Sequence, residues 1–285
     1  MKRLRLLLLV IALVGALCVY YYYAQSAVRI ETIELRSALV GKSLPYSVVL
    51  PPGYGLFTSR ATRYSVVYFL HGWGGRYDSW LKSTSLARYA AEHQLIVVTP
   101  EGANGWWTDG ASGASDKFES YILQELIPEV DRRFRTIANR RGRGVAGLSM
   151  GGYGALKFGF KHPDVFALAA STSGALDAAA RTDDDYSIMQ TFGEPSSVTR
   201  AENDLVRLAR EYPEARRGLL PYLYFDCGEK DPWFNVNRDF AALLTERGIP
   251  HEYRQIPGDH IWPYWDRQAR EIVRLASDIL APPED

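Results

Sequence analysis

Sulfur, net charge and long apolar runs are all scarce in this chain, and each scarcity excludes something. Two cysteines in 285 residues, Cys18 and Cys227, lie far apart, and neither belongs to a Cys-x-x-Cys pair or a histidine cluster. A disulfide framework and a thiolate metal site are excluded. Cys227 sits in the apolar run Tyr222–Cys227 and reads as a small buried hydrophobe rather than a nucleophile. The 33 Lys and Arg balance 33 Asp and Glu, so no basic field exists to hold a phosphate backbone, and nucleic acid is excluded as a partner. No internal repeat or low-complexity tract breaks the pattern. With 47% hydrophobic and 23% charged residues the chain has the composition of a folded globular protein.

The one long apolar run stands at the N-terminus. Lys2, Arg3 and Arg5 precede Leu6–Val19, which leads into Tyr20–Tyr23 and then Ala24-Gln25-Ser26-Ala27. A basic start, an apolar centre and small residues at the end form an export signal. Ala24 and Ser26 suit cleavage before Ala27, while the tyrosines suit the interfacial belt of an uncleaved anchor whose charge-free stretch is about 19 residues. The expectation is therefore a signal peptide or signal anchor over 1–27, with the body outside the cytoplasm: secreted or periplasmic if cut, membrane-anchored if not. Leu17 ahead of Cys18 disfavours lipid attachment there. Without these three basic residues the charge is 30 against 33, a mildly acidic body.

From Val28 onward short apolar runs alternate with amphipathic stretches, which predicts an α/β protein with a mostly parallel sheet and helices on both faces. Arg29–Arg36 and Ser43–Leu50 alternate like half-exposed antiparallel strands, and Pro51-Pro52-Gly53-Tyr54-Gly55 breaks the chain after them. Buried strands are expected at Tyr64–Leu70, Leu95–Thr99, Arg143–Leu148, Ala167–Ser171 and Leu223–Cys227, with His251–Ile256 as a polar edge strand. Helices are expected at Asp116–Phe134, Asn237–Arg247 and Tyr264–Leu280. Residues 174–221 depart from this rhythm, with one short helical pattern at Glu202–Glu211, and read as an insertion over the sheet within a single catalytic domain, 28–285. The triplet Asp183-Asp184-Asp185 in it lacks the alternating ligands and turn glycine of a calcium loop, so no metal is assigned.

The chemistry concentrates in Gly147-Leu148-Ser149-Met150-Gly151-Gly152, a GxSxG directly after one expected strand and before a helical pattern. In that context the serine stands exposed on a strained turn, and the flanking glycines let strand and helix approach. A serine needs a histidine to take its proton and an acid to orient that histidine. In this strand-to-helix context the chain order is serine, acid, histidine. Of five histidines, His71 precedes the serine, His93 and His162 lie at helix ends and His251 begins a polar strand. His260, in a loop after the last strand, fits the order. Asp231, in the turn after Leu223–Cys227, is the candidate acid. Asp226 and Glu229 remain alternatives, and Asp259 is too near His260 in sequence to face its ring. An oxyanion hole needs two backbone donors, here the Met150 amide and one in His71-Gly72-Trp73-Gly74-Gly75, with Trp73 the candidate. Trp106, Trp107 and Trp262 stand beside these loops and are candidate substrate-binding residues, the alternative being packing; Trp265 reads as core.

With these residues in place the chain resembles the esterase family of α/β hydrolases that includes S-formylglutathione hydrolase (esterase D), feruloyl and acetyl xylan esterases, tributyrin esterases and mycolyltransferases. The matching stretches include Val66–Gly72, Glu125–Asp131, Ala146–Leu156, His162–Phe166, Cys227–Asp231 and Gly258–Trp265. The resemblance implies the α/β-hydrolase fold, a Ser149, Asp231, His260 triad, Trp73 and Met150 amides at the oxyanion, and a serine esterase working through an acyl-enzyme. It also implies no cofactor and a small-molecule or carbohydrate ester as partner. Within the family, the export signal and the loop Asn104–Asp109 look more like the secreted short-acyl and carbohydrate-ester enzymes. Two other readings are acyl transfer to a sugar hydroxyl, in the manner of mycolyltransferases, and a membrane-tethered binding protein that reuses the scaffold without turnover.

Overall fold

A computed structural model describes residues 2–56, 59–113, 116–181 and 186–285. Asp183, Asp184 and Asp185 lie outside the described residues. Eight strands form one sheet: β1 Arg29–Arg36, β2 Ser43–Leu50, β3 Val66–Leu70, β4 Ile96–Pro100, β5 Arg143–Leu148, β6 Leu168–Thr172, β7 Tyr222–Gly228 and β8 Glu252–Ile256. Their order is β1-β2-β4-β3-β5-β6-β7-β8. β1 and β2 pair antiparallel, β2 meets β4 antiparallel, and every later pairing is parallel. This is the α/β-hydrolase architecture expected from the sequence.

The helices are α1 Lys2–Ser26, α2 Ser79–Ser83, α3 Leu86–Glu92, α4 Phe118–Ser120, α5 Ile127–Arg133, α6 Met150–Lys161, α7 Tyr186–Phe192, α8 Val198–Asn203, α9 Leu205–Glu211, α10 Phe234–Glu246 and α11 Trp262–Ile279. The helix expected over 116–134 begins at Phe118, and a π-helical segment, Tyr121–Leu126, joins α4 to α5. Widening to π geometry leaves Phe118, Tyr121, Ile122, Leu126 and Ile127 all buried in the core. The single pattern expected at Glu202–Glu211 is two helices, because Asp204 accepts a hydrogen bond from the Arg207 amide and starts a new helix. Ser197 caps α8 in the same way through the Arg200 amide. α9 packs on α6 and α10, so this segment lies over one face of the sheet.

Strand residues are buried on both faces, as parallel sheets require. Val66, Tyr68 and Leu70 point into one core with Tyr121, Tyr153 and Phe158, while Val67 and Phe69 point into the other with Trp80, Tyr264 and Ile272. Two elements escape this covering. β8 is half-buried and pairs with β7 alone, the polar edge expected for it. α1 exposes Leu8–Val14 and Leu17. Side chains within α1 are only partly described, and among the described residues no helix is long and apolar enough to cross a membrane.

The strand order positions the site. From β3 the chain returns to β4 on one side, and from β5 it goes to β6 on the other. The connections therefore diverge between β3 and β5, and a crevice opens beyond the carboxyl ends of these two central strands.

Candidate active site

Ser149 follows β5 with φ +53° and ψ −119°, a backbone conformation that costs a non-glycine residue of order 1–3 kcal/mol. Surrounding contacts hold it there. Its amide donates to the Thr172 carbonyl at 3.1 Å, and its carbonyl accepts from the Tyr153 and Ala175 amides. The glycines on either side are obligatory on contact grounds. A Cβ on Gly147 would meet the Gly151 carbonyl carbon and oxygen at 2.3 Å, and one on Gly151 would meet the Leu70 carbonyl oxygen at 2.3 Å. All of these neighbours are backbone, so Gly151→Ala should force β3 and α6 apart. A loss of at least about 1–3 kcal/mol is expected, read as a lowered midpoint in urea unfolding.

The turns that carry Asp231 and His260 are joined by a second close approach. A Cβ on Gly228 would meet the Gly258 backbone at 2.6 Å, and the Lys230 amide donates to the Gly258 carbonyl at 2.9 Å. This contact brings the turn after β7 against the loop after β8. There the Asp231 Oδ2 and His260 Nδ1 lie 2.9 Å apart. Asp231 Oδ1 accepts from the Trp233 amide at 2.9 Å, and the carboxylate side chain is 0% exposed against 26% for the imidazole. Trp265 packs edge-on against the His260 ring at 4.8 Å and anchors its indole N–H on Ser173 Oγ.

Neither alternative acid takes part in this pair. Asp226 accepts from Thr172 Oγ1 and Tyr264 OH through Oδ1, and Glu229 is exposed. Asp259 instead accepts from the His260 amide.

Ser149 and His260 line one cavity of about 350 Å³ with Gly72, Trp73, Leu148, Trp262 and Trp265. Met150 opens α6, where the first N–H groups of a helix have no intrahelical acceptor. Among the described residues, no backbone acceptor takes the Trp73 amide, and Trp73, which lines the cavity, is 61% exposed. A larger groove of about 680 Å³, lined by Phe160, Lys161, Arg207 and Tyr212 among others, contains none of the candidate catalytic residues.

Two of the three candidate substrate-binding tryptophans are corrected by the structure. Trp107 is 0% exposed; its ring fills the space over Gly102 and Gly154, stacks edge-on against His71 and donates to the His71 carbonyl. Trp106 is 4% exposed and packs against Tyr153 and Phe192. Both have positive φ, and both rings lie in the core. Trp262 does line the cavity, and so does Trp265, although the latter is also buried as core.

Sequence reasoning missed a buried ionic cluster beneath Trp107. The Lys157 ammonium, fully buried on α6, donates to the Trp107 carbonyl, Thr108 Oγ1 and Glu119 Oε2 at 2.7–2.8 Å. Burial pushes this amine down to about 8 against the attraction of Glu119. Burial alone would raise the Glu119 carboxyl, but Lys157, His162 and Lys161 outweigh it and hold it far below the usual range. A lone lysine in the apolar stretch Met150–Phe160 was the signal available.

Asp226 is a second buried group with a consequence. Burial lifts its carboxyl to about 7, against the opposing hydrogen bonds from Thr172 and Tyr264. A folded-state value above the unfolded one means that the native state holds a proton the unfolded chain has released. Its stabilising share is thus full below about pH 4 and is lost as pH rises through about 7. Asp226→Asn keeps the Oδ1 acceptor and removes the titration. Relative to this variant, the natural protein should lose up to about 4 kcal/mol between pH 4 and 8, measured by urea unfolding at both ends.

A serine at a positive-φ elbow, a buried aspartate on the histidine ring and a crevice at the switch between β3 and β5 define a serine hydrolase of the α/β-hydrolase fold. The sequence profile described as "Putative esterase" matches residues 37–275, and the chain belongs to that family. It is 28% identical over 223 residues to an acetyl esterase of Caldicellulosiruptor saccharolyticus, covering 75% of this chain and 83% of that one. It is 30% identical over 261 residues to an esterase of Mycobacterium tuberculosis, covering 82% of this chain but 56% of that protein, so it spans about half the length of that relative. Among solved structures, the fluorophosphonate-binding serine hydrolase F of Staphylococcus aureus superimposes with a TM-score of 0.79 at 29% identity, over 88% of this chain and 98% of the other.

Proposed function

We infer that the protein is an exported serine carboxylesterase that hydrolyses short-acyl or carbohydrate-linked esters, of the acetyl and feruloyl type, through an acyl-enzyme. The observation that carries this reading is the Asp231–His260 pair at 2.9 Å beside Ser149 in one cavity. With Nδ1 occupied by Asp231, the ring offers Nε2 to the Ser149 hydroxyl. His260 takes the proton as Ser149 Oγ bonds to the acyl carbon, and the carbonyl electrons move onto oxygen. The Met150 and Trp73 amides receive that oxyanion. Collapse expels the alcohol, which leaves with the proton from His260; water then repeats the sequence and frees the acid. A 350 Å³ cavity walled by Trp73, Trp262 and Trp265 suits a small acyl group or one aromatic ring, and the acetyl esterase relative supports the same class.

The test is steady-state hydrolysis of p-nitrophenyl acetate, butyrate and octanoate, methyl ferulate and an acetylated xylose, alongside labelling with a fluorophosphonate. Turnover biased to one member, with label on Ser149, is the expected result. Labelling with turnover only when trehalose or glycerol is supplied would replace hydrolysis by acyl transfer. A native, unlabelled protein would overturn the reading in favour of a binding function.

Export rests on Lys2, Arg3 and Arg5 ahead of the exposed apolar residues of α1. Cell fractionation, with the mass of the mature N-terminus, is expected to place the body outside the cytoplasm and to separate cleavage before Ala27 from a retained anchor. Recovery in the cytosol at full mass would reject it.

A further inference from the structure

The Trp73 amide has to sit within about 3 Å of a developing oxyanion, and within its own segment one backbone bond, from the Gly75 amide to the Gly72 carbonyl at 3.0 Å, closes the turn around it. The Trp73 side chain is largely exposed, and Gly72, Gly74 and Gly75 beside it carry no side chain; Gly74 has φ +71°. The side-chain anchors of this turn come from the residues that follow the neighbouring strand. β4 ends at Pro100, and residues 101–104 run alongside the loop that follows β3. Asn104 Oδ1 accepts from the Gly74 amide at 2.8 Å, and Glu101 accepts from the Tyr77 amide through Oε2 and from the Ala103 amide through Oε1. The Gly102 amide donates to His71 Nε2 at 3.0 Å, closing the other end.

The Asn104 bond is the one that bears on catalysis. The peptide between Trp73 and Gly74 is planar, so fixing the Gly74 N–H fixes the orientation of that whole unit next to the Trp73 amide. It also occupies the Gly74 donor, while among the described residues no backbone acceptor takes the Trp73 amide. Glu101 holds the two ends of the arrangement, Tyr77 beyond the glycines and Ala103 beside Asn104. Its carboxylate is largely buried and accepts bonds from both loops at once.

We propose that Asn104 and Glu101 are positioning residues that set the Trp73 oxyanion donor, acting through the Gly74 and Tyr77 amides without touching substrate. The proposal rests on the esterase reading above. Removing a whole oxyanion donor costs roughly 10²–10³ in kcat, so loosening one should cost about 10–100-fold.

The experiment compares the natural enzyme with Asn104→Ala, Asn104→Asp and Glu101→Gln on p-nitrophenyl acetate, together with inhibition by a phenylboronic acid, whose tetrahedral adduct on Ser149 places an oxygen where the oxyanion forms. Asn104→Ala is expected to lower kcat about 10–100-fold with KM within threefold, and to weaken the boronic acid in proportion to kcat/KM. Asn104→Asp retains an Oδ1 acceptor and should restore most of the activity. Glu101→Gln keeps one acceptor of two and should fall between. Unchanged kcat in Asn104→Ala would overturn the proposal, and so would a lowered kcat with undiminished boronic acid affinity. If Asn104→Ala does not fold, the ratio of turnover to inhibitor affinity in Glu101→Gln decides by the same criterion. A natural enzyme that neither turns over ester nor takes fluorophosphonate removes the esterase reading itself; one that does both while Asn104→Ala matches it removes this proposal alone.

Discussion

Replacing Ser149 by alanine is expected to lower kcat for ester hydrolysis by on the order of 10⁵–10⁶-fold, with the unfolding midpoint essentially unchanged or slightly raised. The first half follows from the proposed chemistry: without the hydroxyl no acyl-enzyme can form, and only cavity binding and the backbone donors remain to assist water. The second half follows from the backbone. Ser149 sits at φ +53° whatever its side chain, held by the Thr172 carbonyl and the Tyr153 and Ala175 amides, and none of these bonds uses Oγ. Single-turnover kinetics with an ester chromophore and urea unfolding on the same preparation check both halves. Residual turnover within a few hundredfold of the natural enzyme would mean that another group attacks the ester.

Asp231→Asn is expected to cost on the order of 10⁴-fold in kcat, although it changes one atom. The cause lies in the fork made by the carboxylate. Its Oδ1 already accepts from the Trp233 amide, so an asparagine must place its carbonyl oxygen there and turn its NH₂ toward His260. An NH₂ facing Nδ1 makes that nitrogen the acceptor and moves the ring proton to Nε2, where it blocks proton transfer from Ser149. The loss should shrink as pH rises far enough for hydroxide to attack directly. A pH–rate profile from 6 to 10 with both enzymes separates this tautomer effect from a displaced loop, which would lower the rate equally at every pH.

Much of the architecture was legible in the sequence because strand burial and helical spacing are local patterns. β5 has the ends expected for it, and β1, β2, the parallel core and the polar edge β8 stand within a residue or two of expectation. The elbow was legible for a related reason: a glycine two positions on each side of a serine is a contact requirement written into consecutive residues. The acid was not. Asp226, Glu229 and Asp231 lie within one strand and its turn, and only the contact between Gly228 and Gly258 decides which carboxylate reaches the ring.

Trp106 and Trp107 failed for the opposite reason. They adjoin the crevice in sequence, but their rings pack inward on residues distant in the chain, such as Tyr153 and Gly154, and that direction cannot be read from sequence neighbours. Lys157 was likewise hidden, because its acceptors come from residues 38 to 50 positions away.

The glycine-to-glycine contact between the turn after β7 and the loop after β8 also bears on how such enzymes can be recombined. Segments of related proteins are often exchanged one at a time to alter selectivity. Here the stretch from Gly228 to Trp233 and the stretch from Gly258 to Trp265 meet at Gly228 and Gly258 through backbone atoms, with no side chain at that contact to absorb a mismatch. They form a single transplantable cassette, discontinuous in the gene but indivisible in space. A chimera that imports one without the other inherits two halves of a lock cut to different patterns.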